Sequence, residues 1–191
     1  MYNSLDPQQY QGSAQQFQNV PSDHFYPPGT IFQFPSRWIM QQSWLWSDMN
    51  IKDEWGNKVF HAENQIFSIG YKLNFTDVRT GEEIAYIQQR IHLGMPKFTI
   101  FVRGAEYGVV HQKFTFLTKK FSIDTVNGPL SVSGDWTAHS FVFNRGQQLV
   151  ATASREFFAI RDTYAVEIQP GEDVIFILAC CIVIDKCMTE N

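Results

Sequence analysis

Cysteine and charge are both scarce in this chain, and each shortage removes a class of explanation. Only three cysteines occur in 191 residues, at 180, 181 and 187. Cys180 and Cys181 are neighbours, and the seven residues from Cys180 to Cys187 rise about 10.5 Å on a helix, too far for the ~7 Å Cα separation of a disulfide. All three read as free thiols, with Cys180 and Cys181 serving as small core hydrophobes. Lipidation of the adjacent pair is the competing reading, which burial would block. Net charge is only −4, so no global basic field draws in nucleic acid or an anionic membrane. Any anion-binding surface must then be a local patch. The N-terminus, Met-Tyr-Asn-Ser-Leu-Asp-Pro-Gln, has neither the basic start nor the apolar stretch of a signal peptide, and the chain is expected to be cytoplasmic. No P-loop, GxGxxG after a strand, GxSxG or HExxH is present. His24, His61, His92, His111 and His139 share no metal-ligand spacing. No enzymatic activity, cofactor, metal or nucleic-acid partner is expected.

Long hydrophobic runs are also missing, with one short exception. Glu172-Asp173 opens an uncharged stretch from Val174 to Ile184, closed by Asp185 and Lys186. Its apolar residues occupy every face of a helical wheel, the pattern of a helix buried on all sides. At ~1.5 Å per residue it is roughly 16 Å long, short of the ~20 residues a bilayer span requires. The spacing predicts a helix over about 173–187, with Ala179, Cys180 and Ile182 almost fully buried.

Nearly everything before that run reads as β-structure. Residues 1–35 form a separate region: Gln8, Gln9, Gln11, Gln15, Gln16 and Gln18 alternate with Tyr, Ser, Gly and Ala, and Pro21, Pro27, Pro28 and Pro35 follow. Without apolar periodicity this is expected to be a disordered tail. Its Tyr26-Pro27-Pro28-Gly29 stretch is either a short docking motif or simply part of a tail with no partner. From residue 36 to 191 a single domain is expected. Turn signals recur at 53–57, 77–81, Arg103-Gly104, Asn127-Gly128-Pro129, Asn144-Arg145-Gly146 and Gln169-Pro170-Gly171, each flanked by alternating apolar and polar residues. Six units of two arms give about twelve arms; the last has become the helix, and Trp38 to Trp46 supplies a strand at the start. The return arms Val59–Ile66, Ile84–Ile91, Tyr107–Phe114 and Val150–Phe157 repeat one pattern. Their apolar face carries small residues (Ala62, Ala85, Gly108, Ala151, Ala153), where a helix inside a barrel would need room. The fold expected is all-β with one buried helix: a closed twelve-stranded antiparallel barrel around a C-terminal hydrophobic helix.

Three segments carry a family resemblance: Gly134-Asp135-Trp136-Thr137-Ala138-His139-Ser140-Phe141, the arm Asp162-Thr163-Tyr164-Ala165-Val166-Glu167-Ile168, and Ile182-Val183-Ile184-Asp185. With the repeated hairpins, the chain resembles the LURP-one-related family, which belongs with the tubby C-terminal domain and the phospholipid scramblases. The resemblance covers roughly Arg37 to Lys186. It implies a twelve-stranded barrel around a central helix, and through tubby it implies phosphoinositide binding by a basic patch. Two departures count against a calcium-driven scramblase. The stretch Ala159–Asp173 lacks the closely alternating acidic ligands of a calcium loop, and the barrel lacks a cysteine-rich palmitoylation cluster.

A basic rim is the site these residues suggest. Arg90 and Lys113 occupy the same offset at the ends of two return arms, Lys119-Lys120 lies in a following connection, and Lys97 follows Pro96. Equivalent offsets end near one rim of a barrel, so these cations either converge on phosphates or are ordinary solvated strand-end charges. The first reading makes the protein a monomeric, peripheral module that binds anionic phospholipid or phosphoinositide headgroups, or docks a protein at the plasma membrane. The alternative is a scramblase-like lipid transporter whose C-terminal helix inserts into the membrane. Trp55 is a candidate for insertion among headgroups or for packing over a barrel end. His61 and His111 are expected on outward strand positions with hydrogen-bonding roles, and His139 beside Asp135 in a turn.

Overall fold

The computed structural model describes residues 32–42, 48–65, 68–90, 95–113, 120–135, 140–155 and 163–189. Twelve strands precede one helix. They are β1 (Ser36–Gln42), β2 (Met49–Lys52), β3 (Lys58–Asn64), β4 (Lys72–Asp77), β5 (Glu83–Arg90), β6 (Lys97–Val102), β7 (Ala105–Lys113), β8 (Lys120–Thr125), β9 (Leu130–Asp135), β10 (Ser140–Arg145), β11 (Gln148–Ser154) and β12 (Thr163–Ile168). The helix α1 spans Val174–Thr189. Each strand pairs antiparallel with its sequence neighbours, and β1 pairs with β12, closing the sheet into a barrel. Closure leaves no strand edge open for another chain to pair with.

Alternation decides which face each strand buries. Leu73 and Phe75 of β4, Phe121 and Ile123 of β8, and Phe141 and Phe143 of β10 are all buried, and their in-between neighbours face outward. The turns are set by local chemistry. Asp53 is buried because its carboxylate accepts from the Trp55 and Asn57 backbone N–H groups at 3.1 and 2.8 Å and from the Asn57 amide at 3.0 Å. Arg103 and Gly104 have φ of 52° and 77° between the paired Val102 and Ala105. Two positive φ values in succession are what a tight two-residue hairpin requires.

The helix lies inside. Every residue from Val174 to Ile184 is at most 3% exposed, which for a helix apolar on all sides requires walls on all sides. Asp173 caps its start: the carboxylate accepts from the Phe176 N–H at 2.9 Å, satisfying one of the orphan donors of the first turn. Room for the helix comes from the small residues of the inward face. A Cβ on Gly108 would stand 2.7 Å from Cζ of Phe176 and 2.6 Å from the Asp124 carbonyl oxygen. Phe176 fills that space and stacks on Tyr107 with ring centroids 4.7 Å apart. Ala62, Ala85, Ala151 and Ala153 are buried as their arms predict, whereas Ile66, Ile91, Phe114 and Phe157 lie outside the described residues, as do Trp44 and Trp46.

The helix runs two residues beyond the predicted limit of 187, because Met188 still packs against the core. Phe32, placed in the tail by composition, also belongs to the fold. Its carbonyl accepts from the Gly171 N–H at 3.1 Å and its ring meets Trp38 edge-on at 6.3 Å. No described helix is long and apolar enough to cross a membrane.

Candidate functional site

The barrel has two unlike ends. At the cap end, where α1 starts, sit the tight turns β2–β3, β4–β5, β6–β7, β8–β9 and β10–β11. At the far end, where α1 finishes, lie the first residues of β6 and β8 and the last of β5 and β7. Register brings the predicted cations together there. Arg90 pairs across strands with Lys97, and Lys113 pairs with Lys120. Phe98 and Phe121 point inward, so Lys97 and Lys120 beside them point outward; Arg90 and Lys113 do the same on their strands. Four consecutive strands, β5 to β8, therefore each present one outward cation at the same end. Directly opposed side chains stand about 5 Å apart and diagonal neighbours about 7–8 Å, close enough for one multivalent anion to meet several.

Like charges directly opposed across a sheet are destabilising unless something relieves them. Arg90 is relieved: its Nε donates to Thr99 Oγ1 at 2.5 Å and its terminal nitrogen to Glu106 at 2.9 Å. His111, opposite Lys97, lies 2.9 Å from the Asp124 carboxylate, the hydrogen-bonded outward role its position predicts. Lys97, Lys113 and Lys120 have no ion-pair partner among the described residues. Of the five predicted site residues, Lys119 lies outside the described residues, and Lys120 opens β8 rather than lying in a connection. Arg90 is already committed to Glu106, so it contributes as a partner that an anion would have to win from an exposed carboxylate. Such an exposed pair is worth ~0–1 kcal/mol and competes weakly.

The sequence reading missed Lys72, which points outward at the start of β4 opposite Gln88 and extends the row by one strand. Its signal was the β4–β5 pairing rather than the repeat offset, since it opens an outgoing arm. With it, the described far end carries Lys72, Arg90, Lys97, Lys113, Lys120, Arg155 and Lys186 against Asp48, Glu63, Asp135 and Asp185. The C-terminus of α1 adds its partial negative charge at this end, a setting in which cations are at home.

The cap end has the opposite character. Glu172 is buried and takes both terminal nitrogens of Arg145, one of them at 2.8 Å. Hydrogen bonding to Glu172 pushes the Arg145 guanidinium above its usual range, against the burial that would lower it. Burial also raises the Asp173 carboxyl, overriding the Phe176 and Ile175 N–H groups that favour its ionised form. Tyr107 accepts from the Asn127 amide at 3.1 Å, and burial, with the Asp173 charge as the next cause, raises its phenol above the usual range. These groups tie the start of the helix to three hairpin turns. Trp55 sits at this end, 51% exposed, so it does not share a surface with the cation row.

The cysteines are structural. Cys180, Cys181 and Cys187 are buried thiols outside any disulfide, and burial pushes the Cys181 thiol well above its usual range, which leaves it protonated and unreactive. Asn74 lies mid-strand, accepting from the Gln65 amide at 2.8 Å. No group of three acidic, histidine or cysteine side chains that could hold a metal occurs among the described residues. Trp136 to His139 and Glu156 to Asp162 lie outside them, and with them the expected His139–Asp135 contact and the first four residues of the stretch before the helix; the remainder of that stretch is β12 and the turn into α1.

Comparison with known proteins agrees with this architecture. A solved Arabidopsis thaliana protein superposes with a TM-score of 0.60, covering 84% of this chain and 96% of that one at 18% identity. That likeness concerns the fold alone. A Bacillus subtilis protein, YxjI, is 29% identical over 142 residues, spanning 74% of this chain and 86% of its own. The family model for LURP-one-related proteins matches residues 37–185, from β1 to the last turns of α1. The chain belongs to the LURP-one-related family.

Proposed function

We propose that the protein is a non-catalytic, peripheral module that docks its far end on the phosphate groups of anionic phospholipids, phosphoinositides among them. The observation that supports this reading is the row Arg90, Lys97, Lys113 and Lys120, one outward cation from each of four consecutive strands. A sheet gains nothing from opposing Lys113 to Lys120; a bridging anion turns that repulsion into attraction. The rigid barrel fixes the spacing of the cations, so little ordering entropy is lost beyond that of the lysine side chains.

The scramblase-like alternative requires α1 to leave the barrel and enter the bilayer. Eleven residues of that helix are at most 3% exposed and fill the core, so extraction would unfold the domain.

The test is co-sedimentation with vesicles of phosphatidylcholine alone, with phosphatidylserine added, and with a bisphosphorylated phosphoinositide added. Binding is expected only with anionic lipid and is expected to fall steeply with salt, since exposed charges are screened over ~8 Å at physiological ionic strength. The double variant Lys113→Glu, Lys120→Glu is expected to lose binding and keep its melting temperature. Equal binding by the variant and the parent would discard the row as the site. Binding that requires calcium would favour the scramblase-like reading.

A further inference from the structure

The outer wall of the barrel carries a second feature, displaced toward the cap end from the cation row. A cavity of about 300 Å³ opens between β5 and β6 toward the cap end, lined by Glu83, Tyr86, Gln88, Phe101 and Gly104 over the Ile84–Ala85 backbone. Its floor is a cross-strand aromatic pair: Tyr86 and Phe101 are register partners with ring centroids 6.1 Å apart and planes tilted by 40°. Both point outward on a wall whose other outward positions nearby are Asn74, Gln88, Thr99 and Glu106, the last two already holding the Arg90 guanidinium, which leaves Glu83 as the carboxylate lining the cavity. Such a pair helps to hold β5 to β6, and here it also lines a cavity.

One side of the cavity is the exposed Glu83 carboxylate and the other is the Gln88 amide. The negative field of Glu83 reaches the floor: with burial as the larger cause, it raises the Tyr86 phenol above its ordinary range. Glu83 has no ion-pair partner among the described residues. Overhead, the Gly104 turn leaves open space where a side chain would stand. Two aromatic faces beside an unneutralised carboxylate form the environment that attracts an organic cation, through the ring quadrupoles and the charge together.

The geometry points to this wall cavity as a binding site for a basic side chain, lysine or arginine, presented by a partner polypeptide. The choice of a polypeptide over a choline headgroup rests on the lipid-docking reading above. With the far end on a membrane, Tyr86 and Glu83 lie roughly 14 and 24 Å back along β5 from Arg90 at ~3.4 Å per residue, out of reach of headgroups. The N-terminal region 1–31 cannot supply such a side chain, since it contains no lysine or arginine. The barrel would thus hold a membrane at one end and a basic segment of another protein on its flank.

The test uses the full-length protein in solution without lipid, so its result is independent of vesicle binding. Capped pentapeptides Gly-Gly-X-Gly-Gly, with X as arginine, lysine or the neutral isostere norleucine, are titrated while the Tyr86 and Phe101 ring resonances are followed by NMR. Tetramethylammonium chloride forms a parallel arm. The expected result is saturable shifts of both rings with the arginine and lysine peptides, with millimolar dissociation constants. Norleucine is expected to give none. Glu83→Gln is expected to weaken binding about threefold or more, and Phe101→Leu likewise, with unchanged circular dichroism. Three outcomes would overturn the proposal: no ring shifts with either basic peptide, equal shifts with norleucine, or undiminished affinity in Glu83→Gln. Saturable binding of tetramethylammonium with no response to the peptides would overturn the polypeptide assignment in favour of a choline-type ligand.

Discussion

Replacing Gly108 by alanine adds one methyl group and tests whether the helix truly needs the gap that β7 leaves for it. The new Cβ would lie 2.7 and 2.9 Å from two ring atoms of Phe176 and 2.6 Å from the Asp124 carbonyl oxygen. Restoring an ordinary 3.4 Å contact demands roughly 0.7 Å of movement by a ring that is itself 2% exposed and stacked on Tyr107. The carbonyl belongs to β8, paired with β7 at this position, and cannot retreat without loosening the ladder. Overpacking of this kind costs about 1–3 kcal/mol. Against it stands the smaller entropy of an unfolded chain with alanine, which stabilises by about 0.4–1 kcal/mol where no clash exists. The net expectation is a loss of about 1–2 kcal/mol. Thermal unfolding by circular dichroism should register that as a fall in melting temperature of about 2–8 °C, at 2–4 °C per kcal/mol for a chain of this size. Phe176→Leu removes the ring atoms that clash, so the double variant should cost less than the sum of the singles by at least about 0.5 kcal/mol. A Gly108→Ala protein that melts higher than the parent, or strictly additive singles, would refute the claim that helix and inward face were fitted to one another.

Other expectations concern the helix and the segment before β1. Ala179→Asp places a carboxylate in the middle of the buried run and should cost several kcal/mol, leaving little folded protein; unchanged melting would show that the helix is not central. Phe32→Ala removes the ring that covers Trp38 and should lower stability by about 1–2 kcal/mol in urea titration, whereas deletion of residues 1–31 should leave it unchanged. Asp173→Asn keeps a good N-cap acceptor while removing a charge that burial disfavours. Because the folded carboxyl binds its proton more tightly than the unfolded one, the parent is penalised once pH rises through the unfolded value and toward the raised folded value. The asparagine variant should therefore melt no lower than the parent at pH 7, and any advantage should shrink as pH falls into the carboxylate range. A variant clearly less stable at pH 7 would show that ionised Asp173 is worth more to the helix than its burial costs.

How much of this was legible in the sequence follows from what each signal depends on. The helix was legible because an all-round apolar run of eleven residues has only one physical resolution in a β-rich chain. The barrel was legible because the turn residues recur, and because small residues fall at one offset of the return arms, a long-range requirement written into a local repeat. The convergence of Arg90 with Lys113 was visible for the same reason. The pairing of Lys113 with Lys120, the participation of Lys72 and the capture of Arg90 by Glu106 were not, since they depend on register across neighbouring strands. Phe32 was lost for a related reason: a lone aromatic outside any periodic segment carries no sign of what it packs on.

The same register argument explains why the two ends of one barrel differ in charge without any change in the repeat. Every hairpin begins at the far end, crosses to the cap end and returns, so residues early in outgoing arms and late in return arms share an end. Lys72, Lys97 and Lys120 are early; Arg90 and Lys113 are late. Glu83, Glu106 and Asp124, at the complementary offsets, fall toward the cap end, where the positive pole of the α1 dipole favours carboxylates such as Glu172 and Asp173. The helix orientation thus accounts for acidic residues at its start. It does not account for opposing lysines on β7 and β8, because a half-charge at the helix C-terminus acts within about one turn, and these side chains point outward from the wall that surrounds it. The dipole explains the carboxylates beside the helix start, while the outward row of four cations is what the lipid-docking proposal rests on.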